Sequence, residues 1–251
     1  MTPRTRLIAY LNQYLKISEI PDISKNGLQV QGTVEIEKVA VSVDACMETF
    51  QATAEEGAQM LLVHHGIFWN EIEVLTGYHY KRVKFLMDNH INLYAAHLPL
   101  DVHTEVGNNV QLARLLDLEV VGEFGDYQGL AIGVQAKSAK PIRMSEFSRR
   151  IKERLNSSVR IDQFGAEKIQ KVGIVSGGGA SIIPQAVAEK LDCFITGEPK
   201  HSFFHFAKEC GINLIYGGHY ATETLGVKAL AKHVEKKFDI TTIFIDRPTG
   251  L

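Results

Sequence analysis

A chain of 251 residues, 45% hydrophobic and 22% charged, has the balance of a soluble globular protein, with interior enough for one large domain or two modest ones. Its formal charge of −2 and pI near 6.6 argue against a broad positive field that would gather nucleic acid or anionic lipid, so neither is expected as a partner. Cys46, Cys193 and Cys210 fall in no CxxC-like pattern, and no apolar run reaches the length of a signal peptide or membrane span. A disulfide framework and a structural zinc knuckle are therefore not expected, and a reducing cytoplasm fits best.

The N-terminal "LIAYLNQYLK" places Leu7, Leu11 and Leu15 at every fourth position, which predicts a surface helix with Thr2 as N-cap and Pro3 in the first turn. Glu37 to Gly66 predicts an apolar strand, a turn, an Ala/Glu-rich helix and a second strand ending in "LLVHHG". A helix-like "KRVKFLMDN" follows, then a strand in "INLYAAH" and a turn in "HLPLD", where Pro99 argues against a helix. "LARLLDLEVVGEF" predicts a helix followed by a strand. Turn residues cluster from Gly125 to Pro141, and "FSRRIKERLN" predicts a helix with Phe147, Ile151 and Leu155 on one face. Gln170 to Pro199 is again strand, turn, helix, strand. "SFFHFAKEC", "INLIYGGH" and "LAKHVEKKFDITTIFID" complete the chain as helix, strand, and helix followed by strand.

The second half thus repeats the first. "EKVAVSVDACMETFQATAEEGAQMLLVHHG" aligns with "QKVGIVSGGGASIIPQAVAEKLDCFITGEP", and "INLYAAH" with "INLIYGGH". A repeat of half the chain is too long for a solenoid and predicts two duplicated α/β domains, 1–125 and 126–251. Alternating strands and helices imply mixed, mostly parallel sheets with helices on both faces. In such sheets ligands bind beyond the carboxyl ends of the strands, which predicts a site in the cleft between the two domains.

Those strand ends collect metal-ligand residue types. In the first copy they carry His64, His65, His97 and Asp101; in the second, Glu198, His219 and Glu223. Neighbouring histidines at the end of a strand can serve the two ions of a close pair, and a carboxylate such as Glu223 bridges ions about 3.5–4 Å apart. Three imidazoles and two carboxylates suit zinc, iron or manganese better than calcium or magnesium. His97 and Glu198 are the candidates for proton transfer beside them. "SGGGAS", Ser176 to Ser181, could cradle an anion with its backbone N–H groups, but it lacks a P-loop ending and reads more safely as a tight strand-to-helix turn. His79, His90, His103, His205 and His233 read as structural or exposed.

"NGLQVQG", "LLVHHGIFW", "INLYAAHLPLD", "GNN", "SGGG", "FITGE" and "GGHYATE" occur in this order across almost the whole chain. Together they resemble the Nif-three-like family, whose members carry the name GTP cyclohydrolase 1 type 2 homologue. The resemblance implies two related α/β domains with a dinuclear metal centre between them, assembled as ring-shaped homohexamers. It also implies metal ligands at His64, His65, Asp101, His219 and Glu223. Two functional expectations follow. One is a metal-dependent hydrolase with two divalent ions per chain and a small-molecule, nucleotide-like substrate. The other is a non-catalytic metal-binding ring that serves as an interaction or regulatory scaffold.

Overall fold

The computed structural model describes residues 1–70 and 74–251. From the N-terminus the elements are β1 (Thr2–Pro3), α1 (Arg4–Tyr14), β2 (Gly27–Val30), β3 (Glu35–Ile36), β4 (Lys38–Asp44), α2 (Met47–Glu55), β5 (Met60–His65), α3 (Gly77–Asp88), β6 (Asn92–Ala95) and α4 (Leu98–Asp101). Next come α5 (Asn108–Leu115), β7 (Glu119–Tyr127), β8 (Leu130–Arg143), α6 (Met144–Leu155), β9 (Arg160–Asp162), β10 (Lys168–Ile174), α7 (Ile183–Ala188), β11 (Cys193–Thr196), α8 (Phe204–Cys210) and β12 (Asn213–Tyr216). The long α9 (His219–Phe238) and β13 (Thr241–Phe244) close the chain.

The first of two compact units comprises Met1–Val106 and Gly226–Arg247. Its five-stranded sheet runs β13-β4-β5-β6-β2, parallel throughout except where β2 joins β6 antiparallel at one edge. Alternation along the strands sends Leu61, Val63, Leu93 and Ala95 into a core with Phe50 and Leu86. The opposite face is also buried: Leu62 and Tyr94 are fully enclosed, and Tyr94 donates from its hydroxyl to Asn12 on α1 at 2.9 Å. Leu7, Leu11 and Leu15 are buried as their spacing predicts. The N-cap of α1 is Pro3, not Thr2, because the Thr2 backbone pairs with Ile36 in a two-stranded ribbon.

The second unit comprises Gly107–Leu225 and Pro248–Leu251. Its six-stranded sheet, β7-β8-β10-β11-β12-β9, is parallel at the centre and antiparallel toward both edges. Cys193 and Ile195 enter one core with Phe147 and Ile151, while the intervening Phe194 enters another with Phe124 and Leu214. Helices therefore cover both faces, and the mixed α/β class stands. The expected boundary at 125/126 is not where the compact units divide. The segment carrying α5 and β7 belongs to the second unit, and the last part of α9 with β13 belongs to the first. Each copy's terminal helix–strand sequence is thus spent, wholly or in part, on the other copy's unit.

The duplication extends to the buried polar groups. Asn92 accepts from Gly32 N–H and donates to the carbonyls of Thr33 and Gln59, at 2.8–3.0 Å. Asn213 accepts from Gly165 N–H and donates to the carbonyls of Ala166 and Asp192, at 2.9–3.1 Å. Gln59 Oε1 accepts from the backbone N–H groups of Glu37 and Lys38, and Asp192 Oδ2 from those of Gln170 and Lys171. In each copy two side chains satisfy the loose backbone groups at the strand starts, where an unmet donor would be costly.

Candidate metal centre

His64 and His65 are the last two residues of β5, as the sequence suggested, and their ring centroids are 4.7 Å apart. The ring of His97 lies 5.0 Å from His64 and 5.7 Å from His65. Each of the three offers a ligand atom, and these atoms lie within 4.8 Å of one another. Parallel register sets Asp44, the last residue of β4, beside His65. His65 Nδ1–H donates to the Asp44 carboxylate at 2.8 Å, and His64 Nδ1–H donates to the Ala96 carbonyl at 2.9 Å. A carbonyl can only accept, so His64 carries a hydrogen on Nδ1. Second-tier acceptors on Nδ1 with Nε2 left to coordinate are the pattern that orients metal-binding imidazoles.

Asp101 is presented by α4, a single helical turn where the sequence suggested an open one. Pro99 sits in the first turn of this helix, where its missing N–H costs nothing. The Asp101 carboxylate lies 3.5 Å from His64 Nε2, with both side chains largely buried. The start of α4 is held by Asp22. His97 Nδ1–H donates to Asp22 at 3.0 Å, Leu98 N–H donates at 2.9 Å, and Asn26 both donates to Asp22 and accepts from His97 N–H at 2.8 Å. Burial pushes the Asp22 carboxyl up, but the bonds from His97, Asn26 and Ser24 N–H outweigh it and bring the pKa down to about 2.

In the second unit α9 begins at His219, so His219 and Glu223 stand one turn apart, with Nε2 to Oε1 at 3.2 Å. Glu198, just past β11, lies with Oε2 3.3 Å from His219 Nδ1. Against opposition from burial, Glu223 foremost, then Glu198, raises the His219 pKa to about 9. At neutral pH this site holds a proton that an incoming cation would displace. Gly177 is what lets the pair form. Its φ is +59°, and a Cβ there would collide with Glu223 Oε1 and stand 3.1 Å from His219 Nε2.

Three backbone donors of the glycine-rich turn are met within the protein. Ser176 N–H donates to Asn109, Gly177 N–H to Thr222 and Gly179 N–H to Thr196, at 2.8–3.0 Å, so these donors are spent inside the protein. The turn reading of "SGGGAS" stands, and Asn109 accounts for one asparagine of "GNN".

Imidazoles with carboxylates, and no thiolate among the donors named, fit zinc, iron or manganese. Sequence reasoning missed Asp22, Asn26, Asp44 and Trp69. Asp44 was within reach, since it ends the strand next to the one that carries the histidines. Asp22 lies in an irregular stretch that no periodicity marks. Trp69 stands inside "LLVHHGIFW", where an aromatic residue by itself points to no metal chemistry.

The sequence matches the Duf34/NIF3 (NGG1p interacting factor 3) family profile over residues 2–249. It is 47% identical over 249 residues to a Pyrococcus abyssi protein named GTP cyclohydrolase 1 type 2 homolog, with 99% of each chain covered. A Deinococcus radiodurans protein of the same name is 46% identical over 248 residues, which span 99% of this chain and 94% of that relative. A crystal structure of a Thermus thermophilus protein is similar along 100% of both chains, with a TM-score of 0.91 at 42% identity.

Proposed function

This chain belongs to the Duf34/NIF3 family, and from that premise we propose that it is a metal-dependent hydrolase of a nucleotide-like substrate. In this reading it holds two divalent ions, of iron, zinc or manganese. His64, His65, Asp101, His219 and Glu223 would supply the donors. The observation that carries the reading is the anchoring of His64 and His65 through Nδ1, to a carbonyl and a carboxylate, which dedicates Nε2 of each to coordination. When bound, the ions would supply an activated water and polarise the bond under attack.

The chain's own residues do the rest. Asp22 holds His97 through Nδ1 and leaves Nε2 to carry a proton to or from the substrate. Glu198 aims His219 as Asp44 aims His65, so its first duty is positioning and proton transfer is its second. The names of the relatives support a nucleotide-like substrate. The family resemblance supports a homohexameric ring, to be tested by light scattering for a mass six times 27.9 kDa.

Elemental analysis of untagged protein purified without chelator tests the centre, with Glu223→Ala alongside. Close to two ions per chain, falling sharply in the variant, is the expected result and opens a screen of nucleotides for hydrolysis. No metal after reloading with iron, manganese or zinc would overturn the proposal. Two ions with no turnover across that screen would instead favour a metal-stabilised ring acting as an interaction scaffold.

A further inference from the structure

Trp69 is the single tryptophan of the chain, and it lies four residues beyond the histidine pair. The loop that carries it is fixed from both sides. Ile67 is buried, and Phe68 packs against the first unit's core. Ile67 N–H donates to Gln29 Oε1 at 2.7 Å, and the Phe68 carbonyl accepts from Lys25 N–H at 3.0 Å. With its two predecessors turned into the core, Trp69 is turned toward the imidazoles. Its ring centroid lies 5.2 Å from His97 at 78° and 6.3 Å from His65 at 43°. Trp69 stays partly exposed, and among the described residues its indole N–H has no hydrogen-bond partner. The largest apolar side chain is thus held at the candidate metal ligands with surface and a donor unused, although burial would stabilise it.

We propose that Trp69 is a stacking wall for an uncharged, planar nitrogen heterocycle, the base of the substrate, bound beside the His64–His65–His97 set. This rests on the functional reading above and adds the substrate's shape. Indole faces attract both π-surfaces and cations. Divalent ions at the neighbouring histidines would repel an organic cation, which leaves the neutral ring. Stacking alone does not select one base, so the remaining indole N–H would distinguish rings with an acceptor at their edge from those without.

A single tryptophan makes the test direct. On zinc-loaded protein, with excitation that avoids tyrosine, guanosine should quench the emission saturably and ribose 5-phosphate should leave it unchanged. Equilibrium dialysis of guanosine should give near-parent affinity for Trp69→Phe and about 5- to 100-fold weaker binding for Trp69→Leu, the range one aromatic–base stack is worth. Zinc content should be equal in all three proteins. Equal guanosine affinity in the parent and Trp69→Leu would overturn the proposal, as would unchanged emission on zinc-loaded parent. Failure to load zinc in the parent is a different result, because it removes the hydrolase reading. In that case guanosine quenching of the metal-free protein still decides the stack.

Discussion

Asp44 and Asp22 act on the candidate site through imidazoles, and their effects should separate. Replacing Asp44 with Asn keeps an acceptor for His65 Nδ1–H but removes the charge. Metal affinity should fall about 10- to 100-fold with the melting temperature nearly unchanged, as competition with a chromophoric chelator would show. Asp22 should register in stability. Its pKa lies at about 2 against an ordinary 3.8. A depressed carboxyl contributes stability that is complete above its unfolded value and lost as pH falls through the folded one. The contribution, about 2 kcal/mol, should therefore drain away between about pH 5 and pH 2. Urea unfolding of Asp22→Asn should show lower stability at neutral pH and a flatter acid limb, and an unchanged limb would refute the assignment. Gly177→Ala should break the second unit's donors, since the left-handed backbone and the added Cβ both act against the position Glu223 takes. Expected is folded protein with sharply reduced metal content. The candidate donors can be picked out in the sequence because histidine and carboxylate at strand ends have few other uses. Their supporting carboxylates were not, because a strand neighbour such as Asp44, or a loop residue such as Asp22, meets its histidine only through tertiary register.

Among the elements, the strands and helices of the two copies were readable from period and repetition. Two local details depart from the pattern for opposite reasons. Pro99 argues against a helix, yet it occupies a first turn, where proline is tolerated. Thr2 has the residue type of a cap, yet its backbone is used by a ribbon with Ile36. The paired asparagines were not foreseen, since buried amide networks leave no trace in hydrophobic periodicity. They give a test that ties the copies together. Asn92→Ala strands the Gly32 N–H and Asn213→Ala the Gly165 N–H, and each also removes two bonds to carbonyls, so each should lower unfolding stability by about 1–3 kcal/mol. Denaturant titration of the two variants should return similar losses. A neutral effect at one of them would mean that the two networks are alike in form and not in consequence.

For the molecule as a whole, repetition was legible and partition was not. Alignment of the halves places a boundary where one copy ends and the next begins. The folded units instead divide at Val106/Gly107, within α9 at Leu225/Gly226, and at Arg247/Pro248. A linear sequence shows which segments are alike, but the pairing of β13 with β4 is a long-range choice that no local pattern encodes. Separate expression of 1–125 and 126–251 should therefore yield two insoluble or unfolded pieces, since each lacks part of its own unit. A soluble, cooperatively unfolding half would contradict the division.

The same crossing sets a timetable for the nascent chain. Domains of a multidomain protein generally fold as units, the N-terminal one first as it leaves the ribosome. Here the strand that closes one edge of the first sheet is Thr241–Phe244, which follows the second unit's six strands in the chain. Until Thr241–Phe244 has emerged, β4 lacks this parallel neighbour, although Gly107–Leu225 of the second unit have already emerged ahead of it. The first unit's sheet is therefore the later of the two to be completed, and an exposed β4 edge during synthesis is where protection by a chaperone would count most.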